Sequence, residues 1–133
     1  MGELTPYICV ADGRAAIDWY TDVLGAVVAY PPYVMDDNRI GHAELSFDGA
    51  RLMLSDEYPE VDVQAPAPGR GAPVSLHLSV ADVDALAGRV TASGVVLDRG
   101  PDTTEHGRVV VFRDPFGHRW FLNQESATLP PDS

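Results

Sequence analysis

The chain has 133 residues, 45% of them hydrophobic and 22% charged, with 9 basic against 20 acidic side chains and a formal charge of −11. That length suits one domain, and that charge repels a phosphate backbone, which excludes nucleic acid as a partner. No apolar run approaches the ~20 residues of a membrane span, no signal-peptide pattern opens the chain, and Cys9 has no second cysteine to pair with, so a cytoplasmic protein that touches no membrane is expected.

The first elements follow from local pattern. Residues 5–10, "TPYICV", read as a strand, with Cys9 inside it as a buried, inert thiol. Asp12 is placed to cap a helix over residues 13–24, whose buried stripe is Ala16, Trp19, Tyr20 and Val23, and Gly25 stands where a helix-ending glycine belongs. "AVVAY" is a second strand, ended by Pro31-Pro32. "RIGHAELSF" is a third, and Asp48-Gly49 turns tightly into a fourth, "ARLML". Residues 58–72 are rich in Pro, Gly and acid and read as a linker. Then the order repeats: "VSLHLSV", a helix after Asp82, "VVLDR", "GRVVVFR", and "HRWFLN" after the turn "DPFG". Residues 126–133 are expected to be a flexible tail.

The repetition is visible in the residues. "VADGRAAIDWYTDVLGAVV" starts at Val10 and "VADVDALAGRVTASGVV" at Val80, 70 positions later; "FDGARLML" and "PFGHRWFL" match at Gly49 and Gly117. Two βαβββ modules, about 4–57 and 73–124, thus make one α+β domain over residues 1–125. Period two assigns the strand faces. Val74, Leu76, Leu78 and Val80 oppose Ser75, His77 and Ser79; Trp120 and Leu122 oppose Arg119, Phe121 and Asn123. The oily faces belong under the helices and the mixed faces to an open groove.

The repeated βαβββ order, "AIDWYTDVLGA" and "DPFGHRW" together resemble the vicinal oxygen chelate superfamily of glyoxalases, bleomycin resistance proteins and dioxygenases. "GHAELSFDGARLMLSDE", "VSLHLSVADVDAL" and "RDPFGHRWFLN" are most similar to its PhnB-like members. The resemblance implies a curved mixed sheet around a cleft, and a homodimer. It also implies a divalent metal held at four positions: seven residues before the aspartate that opens each helix, and four after the turn glycine of each last hairpin. Those positions carry Thr5, Ser75, Met53 and Phe121, where His or Gln and Glu are expected. Thr and Ser are poor ligands for zinc, nickel or iron, Met is soft, and Phe is no ligand.

No cofactor is therefore expected, unless His42, Glu44 and His77 converge as a rebuilt two-His, one-carboxylate site for a divalent metal. The main expectation is a cleft that binds a small organic molecule, antibiotic-like or cationic in keeping with the charge of −11. The alternative is a metal-dependent lyase, isomerase or dioxygenase. The residues expected to line the cleft are Thr5, Tyr7, Tyr33, His42, Glu44, Met53, Ser75, His77, Ser79, Arg108 and Phe121, with Arg108 near its mouth as a partner for an anionic group. No catalytic residue is assigned. Arg113 is expected to pair with Asp114, His118 to bond the turn backbone, and His106 to be solvated.

Overall fold

The computed structural model describes residues 2–126; the expected tail from 127 on lies outside them. The chain divides between Ala67 and Pro68 into two compact units. The first holds β1 (Tyr7–Cys9), α1 (Gly13–Leu24), β2 (Val27–Val34), β3 (Ile40–Phe47) and β4 (Ala50–Ser55). The second holds β5 (Ser75–Ser79), α2 (Val83–Ala92), β6 (Leu97–Thr104), β7 (Gly107–Arg113) and β8 (Arg119–Glu125). Each unit carries one four-stranded mixed sheet, in the orders β1-β4-β3-β2 and β5-β8-β7-β6. In both, the first strand runs parallel to the last and the other pairings are antiparallel. This is the α+β fold of two βαβββ modules that the repeat implies.

The helix starts are built alike. Asp12 accepts from the Ala15 amide at 3.0 Å, and Asp82 from the Ala85 amide at 3.1 Å, which satisfies one orphan donor at each N-terminus. A second tie comes from just beyond β4 and from the end of β8. The Gly13 amide donates to the Asp56 carboxylate at 2.6 Å, and the Val83 amide to the Gln124 side-chain oxygen at 3.1 Å. Asp56 also accepts from the Ile40 amide at 2.6 Å, so one carboxylate joins helix α1 to strand β3.

The helices cover one face of each sheet. Ala16, Tyr20, Val23 and Leu24 of α1 are buried with Ala43, Leu45, Leu52 and Leu54; Val83, Ala87 and Val90 of α2 with Val110, Phe112, Trp120 and Leu122. Trp19, expected in the core, is only half-buried and meets Tyr20 edge-on at 5.6 Å.

Two expectations about strands are corrected. Pro31-Pro32 does not end β2, which runs on to Val34, and β6 extends through Pro101 to Thr104. Both are edge strands bonded to one neighbour only, with register shifts near the prolines. On an edge, a missing N–H can face outward at no cost to the ladder. The start of the linker is also structured. A 3₁₀ turn at Pro59–Val61 is spanned by a Tyr58–Val63 bridge, and the Arg39 guanidinium lies 3.8 Å from the Tyr58 ring while bonding Glu60 at 2.7 Å.

The register of β8 rests on Asp114. This carboxylate is 4% exposed. It accepts from the Phe116 amide at 2.9 Å, the His118 amide at 3.0 Å and the Trp120 indole N–H at 2.8 Å. The structure thus commits Asp114 to the turn and to Trp120, in place of the Arg113 ion pair expected from adjacency. The His118 carbonyl closes the turn by accepting from the Asp114 amide at 2.9 Å. Replacing Asp114 by Ala strands a buried indole donor and two turn amides, so Asp114→Ala should lower the unfolding free energy by about 2–3 kcal/mol. Urea denaturation checks this; Asp114→Asn, which keeps an acceptor, should lose less.

Candidate functional site

The face of each sheet turned away from its helix carries the candidate residues. In the first module, matched registers put Tyr7, Met53, Glu44 and Tyr30 in one row across β1, β4, β3 and β2. His42 stands two residues from Glu44 on β3, opposite Tyr33. Thr5 lies just before β1.

These side chains are joined in a network. The Tyr7 hydroxyl is 2.9 Å from His42 Nδ1 and 2.9 Å from the Gly41 carbonyl. His42 Nε2 lies 3.0 Å from Glu44 Oε1, and Arg51 donates to Glu44 Oε2 at 3.0 Å. Both imidazole nitrogens and both carboxylate oxygens are therefore engaged with protein partners. Burial, then the neighbouring Tyr58 and Glu44, push the Tyr7 hydroxyl above the usual phenol range, so it acts as a hydrogen-bonding alcohol and not as a phenolate. Tyr33 stands 65% exposed on the edge strand β2.

In the second module the equivalent row is His77, Phe121, Val111 and Arg99. The Phe121 and His77 rings stack with centroids 5.2 Å apart and planes at 17°. Trp120 is on the opposite face, 2% exposed. The expected register of β8 is the observed one. One row toward the turn, Ser75, Arg119 and Arg113 are opposed, and Arg119 donates to Ser75 Oγ at 2.6 Å. One row the other way come Ser79, Asn123 and Val109. A concavity of about 410 Å³ opens on this face, lined by His77, Phe121, Asn123 and Val109 with Arg99, Thr104, Glu105 and His106. His106 is solvated as expected, its side chain 84% exposed.

Arg108 is the candidate that the structure removes from this face. It opposes Gln124 on β8 and reaches helix α2, where it binds Asp84 through two bonds of 2.7 and 3.0 Å and also donates to Thr103. Its guanidinium holds the Asp84 carboxyl below the usual carboxylate range. Conversely, Arg99, Arg119 and Asn123 face the concavity or its flank and were not singled out, although period two had already placed Arg119 and Asn123 beside Phe121.

Among the described residues, no group of three or more His, Cys, Asp or Glu side chains is placed to hold a metal ion. At the positions where the resemblance implies ligands, Met53 sits beside Tyr7, Phe121 is stacked on His77, and Ser75 is bonded to a guanidinium. A cation next to Arg119 would meet like charge, and a phenyl ring offers it no lone pair.

Residues 3–122 match the Glyoxalase/Bleomycin resistance protein/Dioxygenase superfamily. The chain belongs to that superfamily. Uncharacterized proteins of Mycobacterium bovis and Mycobacterium tuberculosis are each 36% identical over 91% of the chain, which spans 82% and 73% of their lengths. Among solved structures, TnmS3, an antibiotic binding protein from Streptomyces sp. CB03234, is 26% identical with a TM-score of 0.68, over 95% of this chain and 98% of that one. TioX from Micromonospora sp. ML1 is 22% identical with a TM-score of 0.71, over 94% and 99%. The fosfomycin resistance protein FosX from Listeria monocytogenes shares the fold at 14% identity and a TM-score of 0.71, over 95% and 93%.

Cys9 is half-buried, with its Sγ 3.7 Å from the Asp56 carbonyl. Burial, then Glu57 and Asp56, push the thiol up to about 11. Since only the thiolate reacts, iodoacetamide should label the folded chain at pH 8 about a hundredfold more slowly than the unfolded chain. The rate should climb only as pH approaches 11. Rapid labelling at pH 8 would contradict this environment.

Proposed function

We propose that this superfamily member binds a small organic molecule on the open face of its second module without a bound metal. The observation that carries the reading is the stacked Phe121–His77 pair beside a concavity of about 410 Å³, a volume within the ordinary range for ligand sites. A flat ring laid on that pair gains apolar burial and offset stacking. TnmS3, at 26% identity, is an antibiotic binding protein, which supports a binding role on this fold.

The four family ligand positions do not fit a divalent ion, since Thr5, Met53, Ser75 and Phe121 supply neither imidazole nor carboxylate. His42 and Glu44, the core of the rebuilt site considered above, already satisfy one another together with Tyr7 and Arg51. A metal there would have to displace that network. Lewis-acid chemistry of the lyase or dioxygenase kind therefore has no seat among these side chains. We take the protein to act as a cytoplasmic homodimer, in keeping with its resemblance to PhnB-like proteins. No helix among the described residues is long and apolar enough to cross a membrane.

Protein purified without added metal should contain far less than one transition metal ion per chain. A neutral naphthalene alcohol should bind equally well before and after dialysis against a chelator, and Phe121→Ala should weaken it about tenfold. One tightly held zinc, nickel or iron per chain, reduced by His42→Ala, Glu44→Ala or His77→Ala, would favour the rebuilt metal site instead.

A further inference from the structure

The total charge of −11 points toward a cationic ligand, but the row of the second module's open face nearest the turn carries charge of the other sign, from Arg113 and Arg119. All nine basic residues of the chain are arginines, set against 20 carboxylates. With acids in such excess, an arginine finds a carboxylate easily, and Arg39, Arg51, Arg99 and Arg108 each do so. Arg113 and Arg119 are different. They oppose one another across β7 and β8, and among the described residues neither pairs with a carboxylate. Like charges directly opposite on a sheet are destabilising. Among the described residues Arg14, Arg70 and Arg89 also lack an acid partner, but each sits alone on its own element: α1, the linker and α2.

The placement of this pair has chemical content. Phe112 and Trp120 are buried under α2, so alternation turns Arg113 and Arg119 to the open face with Phe121 and His77. Ser75 Oγ accepts from Arg119, which leaves its own O–H free to donate. Arg113, Arg119 and Ser75 thus share one row of this face, two residues along the strands from the aromatic pair, or about 7 Å away. Beyond the other edge, the Asn123 side chain lines the concavity, and its buried Oδ1 has no hydrogen-bond partner among the described residues.

We propose that the second module's open face is a site for a flat aromatic carboxylate. The ring lies on Phe121 and His77, and the carboxylate is held by Arg119, Arg113 and the Ser75 hydroxyl. Asn123 Oδ1 accepts from a hydrogen-bond donor on the far side of the ring. Arginine suits the role because its planar fork matches a carboxylate through two parallel bonds. The anion also relieves the repulsion between the two arginines, so binding and local stability are linked. The acidic remainder of the protein disfavours adventitious anions, so selectivity rests on the ring and the charge together. This proposal rests on the reading of the face as a small-molecule site and adds the class of ligand.

The test uses the full chain and three probes of one shape: 2-naphthoate, naphthalene-2-methanol and 2-naphthylmethylammonium, titrated by calorimetry. The expected order is anion, then neutral, then cation, with naphthoate affinity falling as salt rises. Arg113→Met and Arg119→Met should each weaken naphthoate about tenfold and leave the neutral probe within about twofold, whereas Arg119→Lys, which keeps the charge and loses the fork, should fall between Arg119→Met and the unsubstituted chain. Circular dichroism and the melting temperature establish that each variant is folded. If all three probes bind alike through Phe121, or the cation binds best, the carboxylate proposal is overturned while the small-molecule reading stands. If none binds, the small-molecule reading falls, and the proposal with it.

Discussion

The buried carboxylate of Asp114 sets what the second module presents to its surroundings. It closes the turn before β8 through two backbone amides and reaches forward to the Trp120 indole. That third bond links the turn to a core side chain, so β8 cannot slip by one residue without breaking it. A slip would move every side chain of the strand to the other face. Phe121 would pass under α2 and Trp120 would come out. The polar anchor and the apolar packing of Trp120 against Phe112 and Leu122 select the same register, and such agreement between levels is what gives a sequence one structure.

The two modules share this scaffold and differ in what they display on it. The row Tyr7, Met53, Glu44, Tyr30 corresponds strand by strand to His77, Phe121, Val111, Arg99. In the first module the polar groups are consumed internally: His42, Glu44, Tyr7 and Arg51 complete each other's hydrogen bonds. In the second, an aromatic pair, two opposed arginines and a carboxamide are left with capacity to spare. The same frame thus presents different side chains on its two open faces. A residue in a satisfied network adds stiffness; one with unmet demand is where a ligand gains most.

Much of this was legible in the residues. The two Val-Ala-Asp segments located both helices because an aspartate cap and an apolar stripe agree. Strict alternation in "SLHLS" and "RWFLN" assigned the faces of β5 and β8, since their polar and apolar positions differ so sharply. The failures have physical causes. Pro31-Pro32 looked like a strand end, but edge strands tolerate a missing donor, and edge position is a property of topology. Arg108 was misplaced because Val109 to Phe112 are buried on both faces, so polarity carried no parity signal there, and Asp84 is a partner across 24 residues. Arg113 was assigned to its neighbour Asp114, whereas that carboxylate is drawn into the core by Trp120. The opposed arginines became visible only once β7 and β8 were paired.

The central claim is that Phe121 occupies the open face, at a position where the resemblance implies a metal ligand, and stacks on His77. Proton NMR of the full chain tests it most directly, through nuclear Overhauser contacts from the Phe121 ring. The account predicts strong contacts between the Phe121 and His77 rings, together with a Trp120 indole N–H that exchanges slowly with solvent. Contacts from Phe121 to Val83, Ala87 or Val90 of α2, with a rapidly exchanging Trp120 indole proton, would contradict it.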